Sequence, residues 1–384
     1  MTSSALSHFF GPGHVVFGRD CIRDLEALAA EIEPRDVLLI ADRNVLGDVG
    51  LQSAIGTMRA RRRVAIAEHD GSEPTLAQAA ALSAMDAGDA SLIVAVGGGS
   101  TIDIAKAVAL ARKADGQPLA RFEGAAHLAF DPLPLIAIPT TAGTGSEVTG
   151  SCVLTDYESG RKVSIRSPKL RPRLAILDAH FLASVPKSVI RATGIDALTH
   201  ALEAYHSTAG NIVTDRLALG AISLIGQSIV TYYRNPDDRV ASEAMAIGSC
   251  MAGMAFNSAR VGLAHAVASA IGPLTGFSHG LSVGLALPAA MRTNLHARAA
   301  NRKELLFHIG CPDPGESSWQ EAVLAWLDGL YDALEFPRTA REAGQSFEVD
   351  DQMIRNIVTS GRLDTNPVRL TESGLRDVLE SIRG

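Results

Sequence analysis

Short apolar runs, rich in β-branched residues, alternate in the first half of the chain with alanine-rich stretches whose apolar positions recur at helical spacing. Residues 37–41, 63–67, 92–96 and 135–139 are predicted strands, apolar enough to be buried on both faces. Helical spacing is found over residues 20–32, 75–87 and 102–112. That alternation predicts an open, mostly parallel, doubly wound sheet. Residues 151–155 and 174–177 read as two further short strands flanking a polar loop at 156–162. Beyond Phe181 strand patterns stop, and helices are predicted over residues 187–193, 196–205, 212–233 and 240–256, with more to follow. The boundary falls near residues 180–186, which divides the chain into an α/β domain (1–182) and an all-α domain (183–384), with a cleft expected between them.

Length supports this division, since 384 residues exceed what one hydrophobic core usually serves. With 47% hydrophobic and 20% charged residues the composition is that of a globular protein rather than a disordered one. A net charge of -7 provides no basic footprint, which sets nucleic-acid binding aside. Residues 261–291 contain no Asp, Glu, Lys or Arg and resemble a membrane span by hydropathy alone. His265, Gly272, Pro273, Gly276, His279 and Gly280 interrupt them, however, so two buried helices separated by a turn are expected and no membrane partner. Cys21, Cys152, Cys250 and Cys311 are scattered, giving neither a disulfide framework nor a thiolate metal site. With no signal-peptide pattern at the start, a reducing, cytoplasmic location is expected.

Two loops carry candidate nucleotide chemistry. Gly97-Gly98-Gly99-Ser100 follows an apolar strand and opens a helical run containing Asp103, a turn that lets backbone N–H groups approach a pyrophosphate. Such a turn also serves as an ordinary strand-to-helix connection, and its spacing is not G-x-G-x-x-G. Residues 139–149, Pro-Thr-Thr-Ala-Gly-Thr-Gly-Ser-Glu-Val-Thr, crowd hydroxyls and glycines at the end of another strand, where ligands of open α/β sheets lie. Asp42 follows a strand and suits a ribose 2′-hydroxyl while repelling a 2′-phosphate, favouring NAD over NADP; a turn-forming Asp is the plainer alternative.

In the second half, Asp196 and His200 stand four apart on one helical face. Alone they also fit a helix-start acid followed by a core histidine. His265 and His279 sit in the uncharged stretch, where an imidazole needs a partner. One carboxylate and three imidazoles suit Fe(II) or Zn with a position left for a substrate oxygen.

Together these segments resemble the iron-containing (group III) alcohol dehydrogenase family through nearly the whole chain. Gly97–Ser100 with Asp103, Ala105 and Lys106, the 139–149 segment, residues 194–205, the spacing of His265 and His279, and Asn366-Pro367 carry the likeness. The resemblance implies the dehydroquinate synthase-like architecture, a dinucleotide-binding α/β domain followed by a helical one, and hydride transfer between a nicotinamide and a small alcohol or aldehyde. Asp42, Gly97, Gly98, Gly99, Ser100, Asp103, Thr140, Thr141, Thr144, Thr149 and Lys162 would touch NAD. Asp196, His200, His265 and His279 would hold Fe(II) or Zn. A homodimer or larger homo-oligomer is implied.

Departures from the family pattern bear on mechanism and substrate. Ser269 stands where many members carry a proton-relaying histidine, Glu73-Pro74 replaces an Asn-Pro on the adenine side, and Arg260 occupies a frequent glycine position. Arg260, Phe256 and Cys152 are the substrate candidates; a salt-bridge role for Arg260 is the plainer alternative. Other enzymes of similar build remain as alternatives: a maleylacetate reductase-type oxo-acid reductase, a polyol or glycerol-type dehydrogenase, and a dehydroquinate synthase-like lyase. A non-catalytic nucleotide binder is the reading outside enzymes.

Overall fold

The computed structural model describes residues 9, 11, 13–124, 127–159 and 161–384. The chain separates into two compact units that meet in sequence at Val185 and Pro186.

The first unit contains β1 (His14–Gly18), α1 (Leu25–Ala30), β2 (Asp36–Asp42), α2 (Val49–Arg59), β3 (Val64–His69), α3 (Leu76–Ser83), β4 (Ala90–Gly97), α4 (Gly99–Ala111), β5 (Leu135–Pro139), β6 (Ser151–Asp156), β7 (Arg161–Arg166) and β8 (Leu174–Asp178). Six strands form a parallel sheet in the order β1-β8-β5-β4-β2-β3. The order reverses at β2 and β4, so the crevice for a ligand opens at their carboxyl ends, after Asp42 and Gly97. Alternate residues of the central strands serve two cores: Leu38, Ile40, Ile93 and Ala95 pack with α4, while Leu39, Val94 and Ile138 pack with Leu51, Ile55 and Met58 of α2. Strands covered on both faces must be apolar at every position, and for that reason β2 and β4 were legible as continuous runs.

Three elements lay outside the expectations. Helix α2 buries Leu51, Ala54, Ile55 and Met58, an i, i+3, i+4, i+7 stripe broken up by polar residues. The edge strand β1 is only partly covered. Strand β7 overlaps the end of the predicted loop at 156–162; only Val163 and Ile165 point inward, and it pairs antiparallel with β6.

The helical unit contains α5 (Lys187–His206), α6 (Ile212–Arg234), α7 (Arg239–Ala259), α8 (Leu263–Thr275), α9 (His279–Asn294), α10 (Arg302–His308), α11 (Trp319–Ala333), α12 (Asp351–Thr359) and α13 (Glu372–Arg383). The predicted interruption between residues 193 and 196 is absent, and α5 is continuous for 20 residues. Gly194 lies within this helix close to α6, where a Cβ on it would fall 2.6 Å from the side-chain tip of Ile229. The uncharged stretch forms two helices separated by a turn. Helix α8 ends at Gly276, in the left-handed region at φ 69°, and Ser278 caps α9 by accepting from Leu281 N. Among the described residues α6 alone is long and apolar enough to cross a membrane by length and composition, and its buried stripe, including Ala218, Ile222, Ile225 and Ile229, packs against α5 and α7.

Candidate metal centre and nucleotide loops

Helix α5 places Asp196, His200 and Glu203 on successive turns of one face, all nearly or fully buried. Helix α8 contributes His265, and His279 is the first residue of α9. Asp196 Oδ1 is the hub: His265 Nε2 lies 3.6 Å from it, and His200 Nδ1 and His279 Nε2 each lie 3.9 Å away. Ligand atoms of Asp196, His265 and His279 all fall within 4.8 Å of one another. His200 stands beside that trio, stacked on His265 (centroids 4.5 Å apart) and on Phe256 (4.2 Å). His279 is the open side of the group, with half its side chain exposed.

Glu203, overlooked in the sequence, organises this centre. Its carboxylate accepts from Gly262 N (2.8 Å), Ala264 N (2.6 Å) and His265 Nδ1 (2.7 Å). With Nδ1 donating there, Nε2 of His265 is turned to Asp196. Asn366 Oδ1 takes the intervening Leu263 N, and Asn366 is itself held by reciprocal amide bonds to Asn294. The first N–H groups of α8 are thus capped by side chains from remote parts of the chain. The recurrence 196, 200, 203 on one face was the available signal for Glu203.

The residues fit a divalent cation. Asp196 Oδ1, His200 Nδ1 and His265 Nε2 are buried atoms without hydrogen-bond partners among the described residues, an arrangement costly unless something positive joins them. Burial opposes the charge on Asp196, but the surrounding imidazoles outweigh it and hold the carboxyl at about 2. Burial likewise disfavours an imidazolium at His265, yet Asp196 and Glu203 on its two sides raise it to about 9. His200, where burial dominates, is lowered to about 4. Ser269, one turn beyond His265, donates its hydroxyl to Ala266 O at 2.7 Å.

In the sheet unit the glycines after β4 permit an interlock of two loops. A Cβ on Gly99 would meet Thr144 Cγ2 at 2.5 Å, and one on Gly98 would touch Thr141 Oγ1 at 3.4 Å, while Thr140 N donates to Gly97 O at 3.0 Å. Among the described residues no side chain caps α4, so its first N–H groups can receive an anion. Asp42, Gly97–Ser100, Thr140, Thr141 and Thr144 therefore gather at the carboxyl ends of β2, β4 and β5.

Asp103, partly exposed, and Thr149, buried, belong to a hydrogen-bond network. Asp103 accepts from Ser146 Oγ (2.5 Å) and Val153 N (2.9 Å), and the wholly buried Lys106 donates to Ser146 Oγ, Thr149 Oγ1 and Ser151 O. This network braces the 144–151 loop. Lys162 pairs with Glu73 at 2.6 Å on the β6–β7 hairpin. Cys152 is fully buried in β6, and burial raises its thiol pKa strongly. Arg260 follows α7 and is exposed.

Residues 12–179 match the family model for iron-containing alcohol dehydrogenase, and residues 190–383 match that of the C-terminal region of the same family. Alcohol dehydrogenase 4 of Saccharomyces cerevisiae is 30% identical over 374 residues, 96% of each chain. The crystal structure of 1,3-propanediol oxidoreductase aligns with a TM-score of 0.91 at 30% identity, covering 98% of this chain and 99% of that one. The sulfoacetaldehyde reductase of Bifidobacterium kashiwanohense, solved with NAD+, aligns at 0.89 and 26% identity, covering 99% and 100%. The class is that of NAD-linked oxidoreductases acting on alcohols. Within it, the chain belongs to the iron-containing alcohol dehydrogenase family.

Proposed function

We propose that this chain interconverts a small alcohol and its aldehyde with NAD, using Asp196, His200, His265 and His279 to hold Fe(II), or Zn as a substitute. The observation that carries the reading is the trio of partnerless buried atoms on Asp196, His200 and His265, gathered around one carboxylate oxygen. When bound, the ion supplies Lewis acidity that makes an alcohol oxygen easier to deprotonate near neutral pH.

The protein's own residues do the rest. Glu203 and Asn366 fix the start of α8 and the orientation of His265. Phe256 covers one face of His200 and keeps water from it. The N–H groups at the start of α4, with the hydroxyls of Thr140, Thr141 and Thr144, receive the pyrophosphate. Asp42 takes the adenosine ribose and repels a 2′-phosphate, favouring NAD over NADP. Asp103 and Lys106 hold the loop that carries Thr144 and Thr149. Lys162 lies at the rim of the nucleotide region through its pairing with Glu73. Ser269, once its hydroxyl turns away from Ala266 O, passes the substrate's proton outward by accepting it as its own leaves through solvent. The nucleotide belongs to residues 1–182 and the metal and substrate to residues 183–384. A cytoplasmic location, supported by the four free cysteines among the described residues, and a homodimer or larger homo-oligomer, implied by the family likeness, complete the proposal.

The test is metal analysis of anaerobically purified wild type and His265→Ala, with NAD(H) oxidoreduction measured against short alcohols, diols and hydroxy acids. Metal and activity lost together in the variant support the reading. A metal-free wild type that still reduces an oxo-acid overturns it in favour of a maleylacetate reductase-type activity.

A further inference from the structure

The link between α7 and α8 spans three residues, Arg260 to Gly262, and its first has a conformation that arginine rarely adopts. Arg260 sits at φ 70°, ψ 176°, a region that glycine enters freely and side chains with a Cβ enter only under strain. Its neighbours on the backbone are tied down. Ala259 O accepts from Ser207 Oγ, Arg260 N donates to Phe256 O at 2.7 Å, Val261 O accepts from Thr365 Oγ1 at 3.1 Å, and Gly262 N donates to Glu203 at 2.8 Å. The link is thus held in shape by Ser207, Thr365 and Glu203, and none of those bonds requires a side chain at position 260. A glycine would meet the same constraints without strain.

The Arg260 guanidinium itself is exposed and has no hydrogen-bond or ion-pair partner among the described residues. It belongs to the turn directly after Phe256, whose ring lies on the His200 imidazole, and stands two residues before the capped start of the helix bearing His265. An arginine side chain spans about as far as one helical turn rises, and the Arg260 backbone is bonded to that of Phe256 at 2.7 Å, so the charge is tethered to the turn that carries the ring. A planar, permanently charged donor fork matches the oxygens of a carboxylate or sulfonate.

We propose that Arg260 is a specificity-determining residue that engages an anionic group at the far end of the substrate, so that the preferred alcohol or aldehyde carries a carboxylate, sulfonate or similar anion. The inference rests on the dehydrogenase reading above and narrows its substrate class. It explains why a strained arginine occupies a position at which only backbone is constrained.

The test compares kcat/KM for two alcohols of equal carbon number, 3-hydroxypropanoate and 1-propanol, in wild type, Arg260→Gly and Arg260→Lys holoenzymes, with Tm recorded for each. Wild type is expected to favour the anionic alcohol. In Arg260→Gly the anionic-to-neutral ratio falls about 30-fold or more, through KM, as expected for loss of charge-assisted hydrogen bonds. Its Tm rises, because strain is relieved, and Arg260→Lys retains part of the preference. A ratio unchanged in Arg260→Gly overturns the inference while leaving the dehydrogenase reading intact. Absence of any NAD-linked turnover of both alcohols and of the wider panel in metal-loaded wild type overturns the dehydrogenase reading, and the inference with it.

Discussion

Glu203 carries three donors on one buried carboxylate, two from backbone N–H groups of the α7–α8 connection and α8 and one from His265. A glutamine in its place offers one acceptor oxygen and turns an amide N–H toward groups that are themselves donors. Glu203→Gln is therefore expected to weaken metal binding about 10- to 100-fold, the range for lost support behind a ligand. Competition between the protein and a chromophoric chelator for Zn2+ measures this, and an unchanged affinity would place Glu203 outside the metal centre.

Glu147, in the loop braced by Lys106, gives a pH signature. Burial raises its carboxyl from 4.5 to about 7. The protonated form preferred by the fold is complete below pH 4.5 in folded and unfolded chains alike, and its benefit is lost as pH rises through about 7. Wild-type stability should decline across that window by up to ~3 kcal/mol from this group. Glu147→Gln should flatten the decline in urea midpoints taken from pH 5 to pH 8. A variant whose slope matches that of wild type contradicts the assignment.

Two glycines show how helix packing converts into site geometry. A Cβ on Gly280 would sit 2.5 Å from Ala192 O, so α9 must retreat from the α5 backbone and carry His279 with it. Gly280→Ala is expected to lose ~2 kcal/mol or more and to load metal poorly, by denaturant titration and metal analysis. On Gly194 the nearest atom is the tip of Ile229, which can swing aside, and alanine also gains ~1 kcal/mol of helical preference. Gly194→Ala should keep its metal and change stability by less than ~1 kcal/mol.

Elements were legible where burial imposes one pattern throughout, as in β2, β4 and β5, whose faces are both covered. Helix α2 and strand β7 mix inward and outward positions over short spans and escaped notice. The ligands were legible because their residue types are rare in an uncharged setting. Glu203 was not, and Asn366 was legible only as part of the family likeness and not in its role, because their meaning lies in partners about 60 and 103 residues away, a pairing that only the folded chain displays.

Across the whole molecule, two ligands should leave separate footprints. NAD+ is expected to slow amide exchange at residues 97–101 and 140–149, while a chelator should speed exchange in α5, α8 and α9. Hydrogen exchange followed by mass spectrometry reads both, and protection by NAD+ elsewhere alone would refute the nucleotide assignment.

The side-chain cap on α8 also bears on how the protein is made. All four metal-binding candidates have been synthesised once His279 is added, yet Leu263 N finds its acceptor only in Asn366, 103 residues downstream. A nascent chain that exposes every ligand still lacks the amide that seats the helix bearing His265. If the four residues hold an ion as proposed, a chain that has not yet reached residue 366 is expected to hold it more weakly than the finished one, because the helix bearing His265 still lacks that cap.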